Sequence, residues 1–190
     1  MAPLRVLSIH GYRQNGGSFR EKTGALRKLL KKSVELVQLR RSVGLIMHPD
    51  PKPVLGPVVD ADARGWWFSD IVARSFSAQQ QCEVSLGLDQ SVTAVRDIIR
   101  TQGPFDGILG FSQGRRLSAC SEHERFYKSM LQIPSLHVFG QDDRVIPDHM
   151  SKDLLTLFKD PQILMHPGGH FVPAASAHRQ TYQDFLKRFQ

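Results

Sequence analysis

Ser112 is the residue of this chain whose surroundings most clearly predict chemistry. It lies in the G-x-S-x-G pattern at residues 110–114, which follows an apolar run at 105–111 that is typical of a buried strand. Glycines on both sides of a serine allow a sharp turn that exposes the hydroxyl above the sheet, as in a nucleophile elbow. A serine in this position becomes a nucleophile when an imidazole accepts its proton and a carboxylate orients the imidazole.

Acidic and imidazole side chains follow Ser112 in the order that α/β hydrolases use. Asp143 comes directly after a strand-like segment at 135–139, and His170 follows another at 162–165. We therefore expect Ser112, Asp143 and His170 to form a catalytic triad. Asp142 is chemically equivalent to its neighbour, so the spacing alone leaves the choice between the two acids open.

Hydrolysis through a serine also needs donors for the negatively charged oxygen of the tetrahedral intermediate. In α/β hydrolases one backbone N–H comes from the residue after the nucleophile and another from a loop after an early strand. These positions correspond here to Gln113 and to Tyr12, which follows the predicted first strand at 4–9. His10, in the same loop, is expected to be a structural histidine.

The elements that must position these residues alternate between strands and amphipathic helices. A capping pattern of Ser18 with Glu21 predicts a helix start, and Asp89 is expected to cap a longer helix that leads to the elbow strand. This alternation predicts an α/β fold with a mostly parallel sheet flanked by helices. In the helix after Asp89, the residues predicted to face inward are Val92, Val95, Ile98 and Ile99. In the last helix they are Tyr182, Phe185, Leu186 and Phe189.

Length and composition predict one domain in a reducing compartment. The 190 residues, 41% of them hydrophobic, suffice for a single core over residues 1–190, with an irregular insertion at about 41–81. Two isolated cysteines make no disulfide framework, and no apolar run could span a bilayer, so we expect a cytoplasmic protein. The formal charge of +7 is dispersed, which indicates solubility and not a nucleic-acid partner.

Several of these motifs together resemble the fungal-type serine hydrolase family of α/β hydrolases, and most closely its animal esterase branch. The matching segments are HGYRQN at 10–15, FREKT at 19–23, RGWWF at 64–68, GPFDG at 103–107, the elbow at 110–114 and GGHFVP at 168–173. The resemblance implies a carboxylesterase that acts on simple, small-molecule acyl esters without a metal or cofactor. In the family's G-x-x-D-x-V-I-P setting the acid corresponds to Asp143, and the aromatic residues 66–68 lie near the acyl side of the pocket or in the core.

The chain departs from the family directly after the elbow. Residues 115–124 carry charged and polar side chains where the family has an apolar helix followed by another strand. Only 30 residues separate Ser112 from Asp143, and each parallel crossover needs a dozen or more residues. We therefore expect the fold to lack one central strand.

Two functions of different class follow from these observations. The first is a serine carboxylesterase of straight-chain aliphatic esters that works through an acyl-enzyme. The second is a catalytically impaired, shortened hydrolase fold that acts as a binding module.

Overall fold

The computed structural model describes residues 2–38, 45–46, 62–80, 82–115 and 128–190, and it groups them into two compact units. The N-terminal unit contains residues 5–22 and the described part of 36–115. The C-terminal unit contains residues 2–4, 23–35 and 128–190. The described strands form three sheets, so the protein is an α/β structure of open sheets flanked by helices, as predicted.

The main sheet has three strands, in the order β2 (Val34–Gln38), β1 (Leu4–Ile9) and β5 (Gly107–Gly110). Strands β1 and β5 are parallel and in register from Val6 opposite Gly107 to Ile9 opposite Gly110. A short antiparallel pair joins β3 (Leu45–Ile46) to β4 (Arg64–Gly65). Because β1 and β5 run in parallel, their carboxyl ends bring the loop after Ile9 to the same edge as the elbow.

The core of the N-terminal unit contains the tryptophans of the segment that was predicted to be an irregular insertion. Leu7, Trp66, Trp67 and Leu88 form its buried cluster, and Phe68 is buried as well. Residues 62–80 of the predicted insertion therefore contribute to the core, because large aromatic side chains bury much apolar area. Positions 41–44, 47–61 and 81 of the predicted insertion lie outside the described residues.

Both predicted helices of the N-terminal unit are present, but their starts differ from the prediction. Helix α1 (Gly16–Lys22) begins after Asn15. The Asn15 side-chain oxygen accepts the backbone N–H of Ser18 at 2.9 Å, and the Ser18 hydroxyl accepts the backbone N–H of Asn15 at 3.0 Å. The capping residue is thus Asn15 and not Ser18. Asparagine and serine are comparably good capping residues, so the residue types alone did not distinguish the two positions. Helix α3 (Leu88–Gln102) begins after Gly87, at a φ of 88°, which leaves Asp89 in the first turn.

The inward face of α3 is close to the prediction. Val92, Val95 and Ile98 pack against the core cluster, whereas Ile99 is 40% exposed. At a period of 3.6 residues, Ile99 lies about 100° further around the helix than Ile98, which turns it toward solvent.

The C-terminal unit is built on two parallel strands, β6 (Leu136–Gly140) and β7 (Gln162–His166), paired in register along their whole length. Helix α4 (Asp148–Leu155) packs against β6, and α2 (Gly24–Leu30) packs against α5 (Arg179–Leu186). In the last helix Tyr182 is buried as predicted, but Phe189 is exposed because the helix ends at Leu186 and continues as a 3-10 turn.

None of the described helices is both long enough and apolar enough to cross a membrane. The organisation of residues 1–190 as one domain stays a prediction.

Candidate active site

Asp143 and His170, the predicted acid and base, are joined by a hydrogen bond. The distance from His170 Nδ1 to Asp143 Oδ2 is 2.8 Å, and the two side chains are 22% and 7% exposed respectively. The other carboxylate oxygen, Oδ1, accepts the backbone N–H groups of Val145 and Ile146, each at 2.9 Å. An ionised carboxylate only accepts hydrogen bonds, so Nδ1 donates and the lone pair of a neutral imidazole is on Nε2. This is the tautomer that a general base requires.

The structure distinguishes between the two adjacent acids. Asp142 is exposed, and its backbone N–H donates to the carbonyl oxygen of Gly168 at 3.2 Å. The carboxylate that contacts His170 is that of Asp143. This is the acid that the family resemblance favoured.

A continuation of the β6–β7 ladder holds the acid loop beside the histidine loop. The Gln141 N–H donates to the carbonyl oxygen of His166 at 2.8 Å, one step beyond the paired strands. At Gly140 a Cβ atom would collide with the carbonyl oxygen of Gly168 and would lie 2.7 Å from that of Gly169. The close approach of the two loops therefore depends on a glycine at the end of β6.

Two buried side chains, those of His166 and Tyr182, contact the two ends of the loop at 167–173 that contains His170. His166 Nδ1 accepts the Gly168 N–H at 3.2 Å, and its ring lies 4.8 Å from that of Phe171. Burial, reinforced by the neighbouring His178, lowers the pKa of His166, while Asp143 has the opposite influence. At the end of the loop the Tyr182 hydroxyl donates to the carbonyl oxygen of Pro173 at 2.8 Å, and burial raises the pKa of this hydroxyl well above its ordinary value.

Ser112 has the backbone conformation of an elbow residue. Its φ is 55°, in the left-handed region that non-glycine residues rarely adopt, and it begins a short 3-10 turn, Ser112–Arg115, two residues after the end of β5. The residue is 8% exposed. Such strain persists where surrounding contacts enforce it, and it is concentrated at functional sites.

The loop after β1 makes close contact with the elbow. A Cβ atom on Gly11 would lie 2.9 Å from the Ser112 Cβ, so only glycine allows this approach without a shift. The Gly11 N–H donates to the Gln14 side chain at 2.9 Å, and Tyr12 follows directly. His10 is buried, with Nδ1 2.8 Å from the Gly11 carbonyl oxygen and its ring 4.8 Å from that of Trp66, and both contacts fit the structural role expected of it.

The side chain of Gln113 has a structural role that the sequence analysis missed. It is 1% exposed, its Oε1 accepts the Trp66 backbone N–H at 2.9 Å, and its Nε2 donates to the Trp67 carbonyl oxygen at 2.6 Å. The Trp66 indole N–H donates in turn to the His10 carbonyl oxygen at 2.8 Å. The one signal in the sequence that could have revealed this role was the long polar side chain itself, because it follows a strand that was predicted to be buried.

The predicted site residues thus fall into two groups. Ser112, Gln113 and Tyr12 belong to the N-terminal unit, and Asp143 and His170 belong to the C-terminal unit. The approach of the Ser112 hydroxyl to the imidazole remains a prediction. Within the described parts of the chain, no cluster of three or more His, Cys, Asp or Glu side chains could hold a metal ion.

A strained serine after one parallel strand and an Asp–His pair after two others are the features of serine enzymes with the α/β-hydrolase fold. The model of the serine hydrolase (FSH1) family matches residues 1–121 and 116–182. The chain belongs to this family, which confirms the resemblance and the expectation of a hydrolytic enzyme.

Curated relatives match the chain over nearly its whole length. It is 55% identical to Esterase OVCA2 of Danio rerio, covering 99% of this chain and 98% of the relative. It is 40% identical to Esterase OVCA2 of Homo sapiens, with 98% and 97% covered, and 39% identical to that of Xenopus tropicalis, with 98% and 93% covered.

The same comparisons bear on the expected shortening. The alignment with the Danio rerio relative extends over 230 positions, 40 more than the 190 residues of this chain, so at least that many positions lie opposite gaps in it. The family model matches in two segments, which overlap at residues 116–121, directly after the elbow. Both observations agree with an internal shortening at the place where the sequence departs from the family.

Proposed function

We propose that this protein is a serine carboxylesterase in which Ser112 is the nucleophile, His170 the general base and acid, and Asp143 the residue that orients the imidazole. The observation that carries the proposal is the 2.8 Å contact between Asp143 and His170, with the remaining carboxylate oxygen held by two backbone N–H groups. That arrangement leaves Nε2 of His170 able to accept a proton.

In the first half of the reaction, His170 Nε2 removes the hydroxyl proton of Ser112 as Oγ attacks the ester carbonyl carbon. The carbonyl π electrons move to oxygen, and the backbone N–H groups of Tyr12 and Gln113 stabilise the oxyanion. The intermediate collapses, the carbon–oxygen bond to the alcohol breaks, and the imidazolium donates its proton to the leaving alcohol. An acyl group then remains on Ser112.

Water completes the cycle by the same steps in reverse. His170 removes a proton from water, and the resulting hydroxide attacks the acyl carbon. The second oxyanion collapses, the bond to Ser112 breaks, and the serine oxygen recovers its proton from the imidazolium. Asp143 keeps its negative charge throughout and stabilises the imidazolium.

We propose straight-chain aliphatic acyl esters as the substrate class. The exposed apolar side chains of Phe171 and Val145, 54% and 47% exposed, support this, since Phe171 follows His170 directly and Val145 comes two residues after Asp143 in sequence. The aromatic residues at 66–68 are buried, which favours their core role over contact with an acyl chain. The names of the relatives, which are called esterases, are consistent with this class.

Hydrolysis of p-nitrophenyl esters from acetate to dodecanoate tests the proposal. We expect turnover by the wild-type chain and a loss of about 10⁴-fold or more in kcat for Ser112→Ala. If an apolar surface binds the acyl chain, kcat/KM should rise by up to about fourfold for each added methylene, the equivalent of ~0.8 kcal/mol. A profile independent of chain length would contradict the substrate class, and undiminished turnover by Ser112→Ala would contradict the mechanism.

A second function is favoured by one specific observation, the division of the family match into two segments directly after the elbow. A chain that lost the geometry between nucleophile and base would act as a hydrolase-fold binding module. The two functions can be distinguished with a sample that unfolds cooperatively, because cooperative unfolding shows that the core is packed. Ester turnover by such a sample would exclude the binding module, and a lack of turnover would exclude the esterase.

A further inference from the structure

We infer that the Gln113 side chain is a positioning residue for the oxyanion hole, because it fixes the peptide whose N–H is proposed as one donor. The inference rests on the proposed esterase function. It concerns the side-chain amide, which is separate from the backbone N–H that would bind the oxyanion.

Both ends of the Gln113 amide are engaged by backbone groups of consecutive residues. Oε1 accepts the Trp66 N–H at 2.9 Å and Nε2 donates to the Trp67 carbonyl oxygen at 2.6 Å, so the side chain pairs with this segment as a neighbouring backbone would. The side chain is 1% exposed, so water cannot replace either bond at small cost. Residue 113 is thereby tied to a segment 46 and 47 positions away in sequence.

Trp66 extends this connection to the other proposed donor. Its indole N–H donates to the carbonyl oxygen of His10 at 2.8 Å, two residues before Tyr12. The Ser91 hydroxyl, on α3, donates to the Trp66 carbonyl oxygen and so contacts the same segment. One buried tryptophan therefore connects the elbow and the loop after β1, so the spacing of the two donors depends on it.

This arrangement has a specific kinetic consequence. Oxyanion donors act only when they lie roughly 2.7–3.1 Å from the oxygen of the transition state, and they bind that oxygen more strongly than the ground-state carbonyl. A donor that is displaced from this position stabilises the transition state less, and it leaves the binding of the substrate in its ground state unaffected. Loss of the Gln113 amide should therefore lower kcat and leave KM unchanged.

The first variant is Gln113→Met, which keeps the length and the apolar volume of the side chain and removes both hydrogen bonds. Removing an oxyanion donor outright costs about 10²–10³-fold in kcat, and we expect loosening one to cost about tenfold at constant KM. A kcat equal to that of the wild type would overturn the inference.

The second variant, Gln113→Glu, adds a readout that a packing defect would not move. A protonated carboxyl has the shape of the amide and can accept from the Trp66 N–H and donate to the Trp67 carbonyl, whereas the ionised form can only accept. Burial raises the pKa of a carboxyl at such a position. The kcat of Gln113→Glu relative to wild type should therefore recover as pH falls, and the ratio for Gln113→Met should stay constant. A pH-independent ratio for both variants would contradict the inference.

Ser91→Ala is the matched control, because it removes a buried hydrogen bond to the same Trp66 without touching the elbow. We expect a lower melting temperature and a much smaller loss of kcat than in Gln113→Met, because Trp66 keeps its bonds to the Gln113 side chain and to the His10 carbonyl oxygen. An equal loss of kcat in Ser91→Ala and Gln113→Met would show general destabilisation and overturn the inference. If the folded wild-type chain shows no turnover, the proposed function fails, and the inference fails with it; if it turns over while Gln113→Met matches it, the inference alone fails.

Discussion

The two halves of the proposed site are stabilised in different ways. In the C-terminal unit, the Asp143–His170 pair follows two neighbouring parallel strands, and the strand ladder continues through Gln141 into both loops. In the N-terminal unit, side-chain hydrogen bonds to the distant residues Trp66 and Trp67 hold the elbow. The base and its acid thus depend on regular backbone pairing, whereas the nucleophile depends on a buried polar network.

This difference indicates where each half is vulnerable. A backbone ladder is insensitive to most side-chain changes but fails where a Cβ atom enters the gap between the loops. A buried polar network is sensitive to the loss of any one of its partners, because each orphaned group must remain buried without a hydrogen bond.

Asp143→Asn removes the charge that holds the imidazole in its tautomer and is expected to have the largest effect of the three substitutions that probe the Asp–His half. An asparagine can donate to Nδ1 and thereby leave the proton on Nε2, which blocks its function as a base. We expect kcat to fall by about 10⁴-fold with little change in stability. Ester hydrolysis measured beside Asp142→Asn provides the control, since Asp142 is exposed and should tolerate the change. A larger loss in Asp142→Asn than in Asp143→Asn would reverse the assignment.

Gly140→Ala tests whether the Asp143–His170 pair depends on the close approach of the two loops that hold it. The added methyl group would collide with the Gly168 carbonyl oxygen, and the collision involves backbone that cannot move without displacing His170. We expect the free energy of unfolding to fall by about 3 kcal/mol and kcat to decrease as well. Denaturant unfolding measures the first effect.

Gly24→Ala is the matched control for that substitution. A Cβ atom at Gly24, in α2, would have no described heavy atom within 4 Å other than those of its chain neighbours and its own helix backbone. Its stability should be unchanged or higher by up to about 1 kcal/mol. If Gly140→Ala changed the free energy of unfolding as little as Gly24→Ala, the collision at Gly140 would be relieved at no cost and the dependence on glycine would be disproved.

The smallest effect is expected from the pH dependence of stability at His166. Burial lowers its pKa from 6.5 in the folded state, so the unfolded chain binds the proton more readily. Stability that is fully present above pH 6.5 should therefore decrease as pH falls toward the lower pKa of the folded state. His166→Gln keeps an acceptor for the Gly168 N–H and cannot titrate in this range. Unfolding titrations at several pH values should give a flatter profile for this variant, and identical profiles would exclude the effect.

The strands could be predicted well from the sequence, because they are governed by local patterns of apolar residues. Strand β1 has the predicted bounds at Leu4–Ile9, and β7 differs from the prediction by one residue at its end. The order of Ser112, Asp143 and His170, each after an apolar run, was sufficient to suggest the triad. Helix starts were less accurate, since Asn15 and Ser18 are both good capping residues and only the folded backbone selects between them.

The contacts that sequence reasoning missed are between distant residues. No local pattern links Gln113 to Trp66, because hydrophobic periodicity identifies a buried tryptophan but not the partner of its backbone N–H. The requirement for glycine at position 140 is similar, since it arises from the Gly168 carbonyl oxygen on another loop. Predicting either one requires the relative position of segments that the chain brings together only on folding.

Labelling of the folded wild-type chain by a fluorophosphonate, with the modified residue located by mass spectrometry, tests the central claim most directly. The reagent phosphonylates a serine that is activated by an imidazole and stabilised by an oxyanion hole. We predict a single adduct on Ser112 that is absent in Ser112→Ala and slower to form in Asp143→Asn. A cooperatively folded wild-type chain that forms no adduct, or an adduct that persists in Ser112→Ala, would contradict the proposed active site.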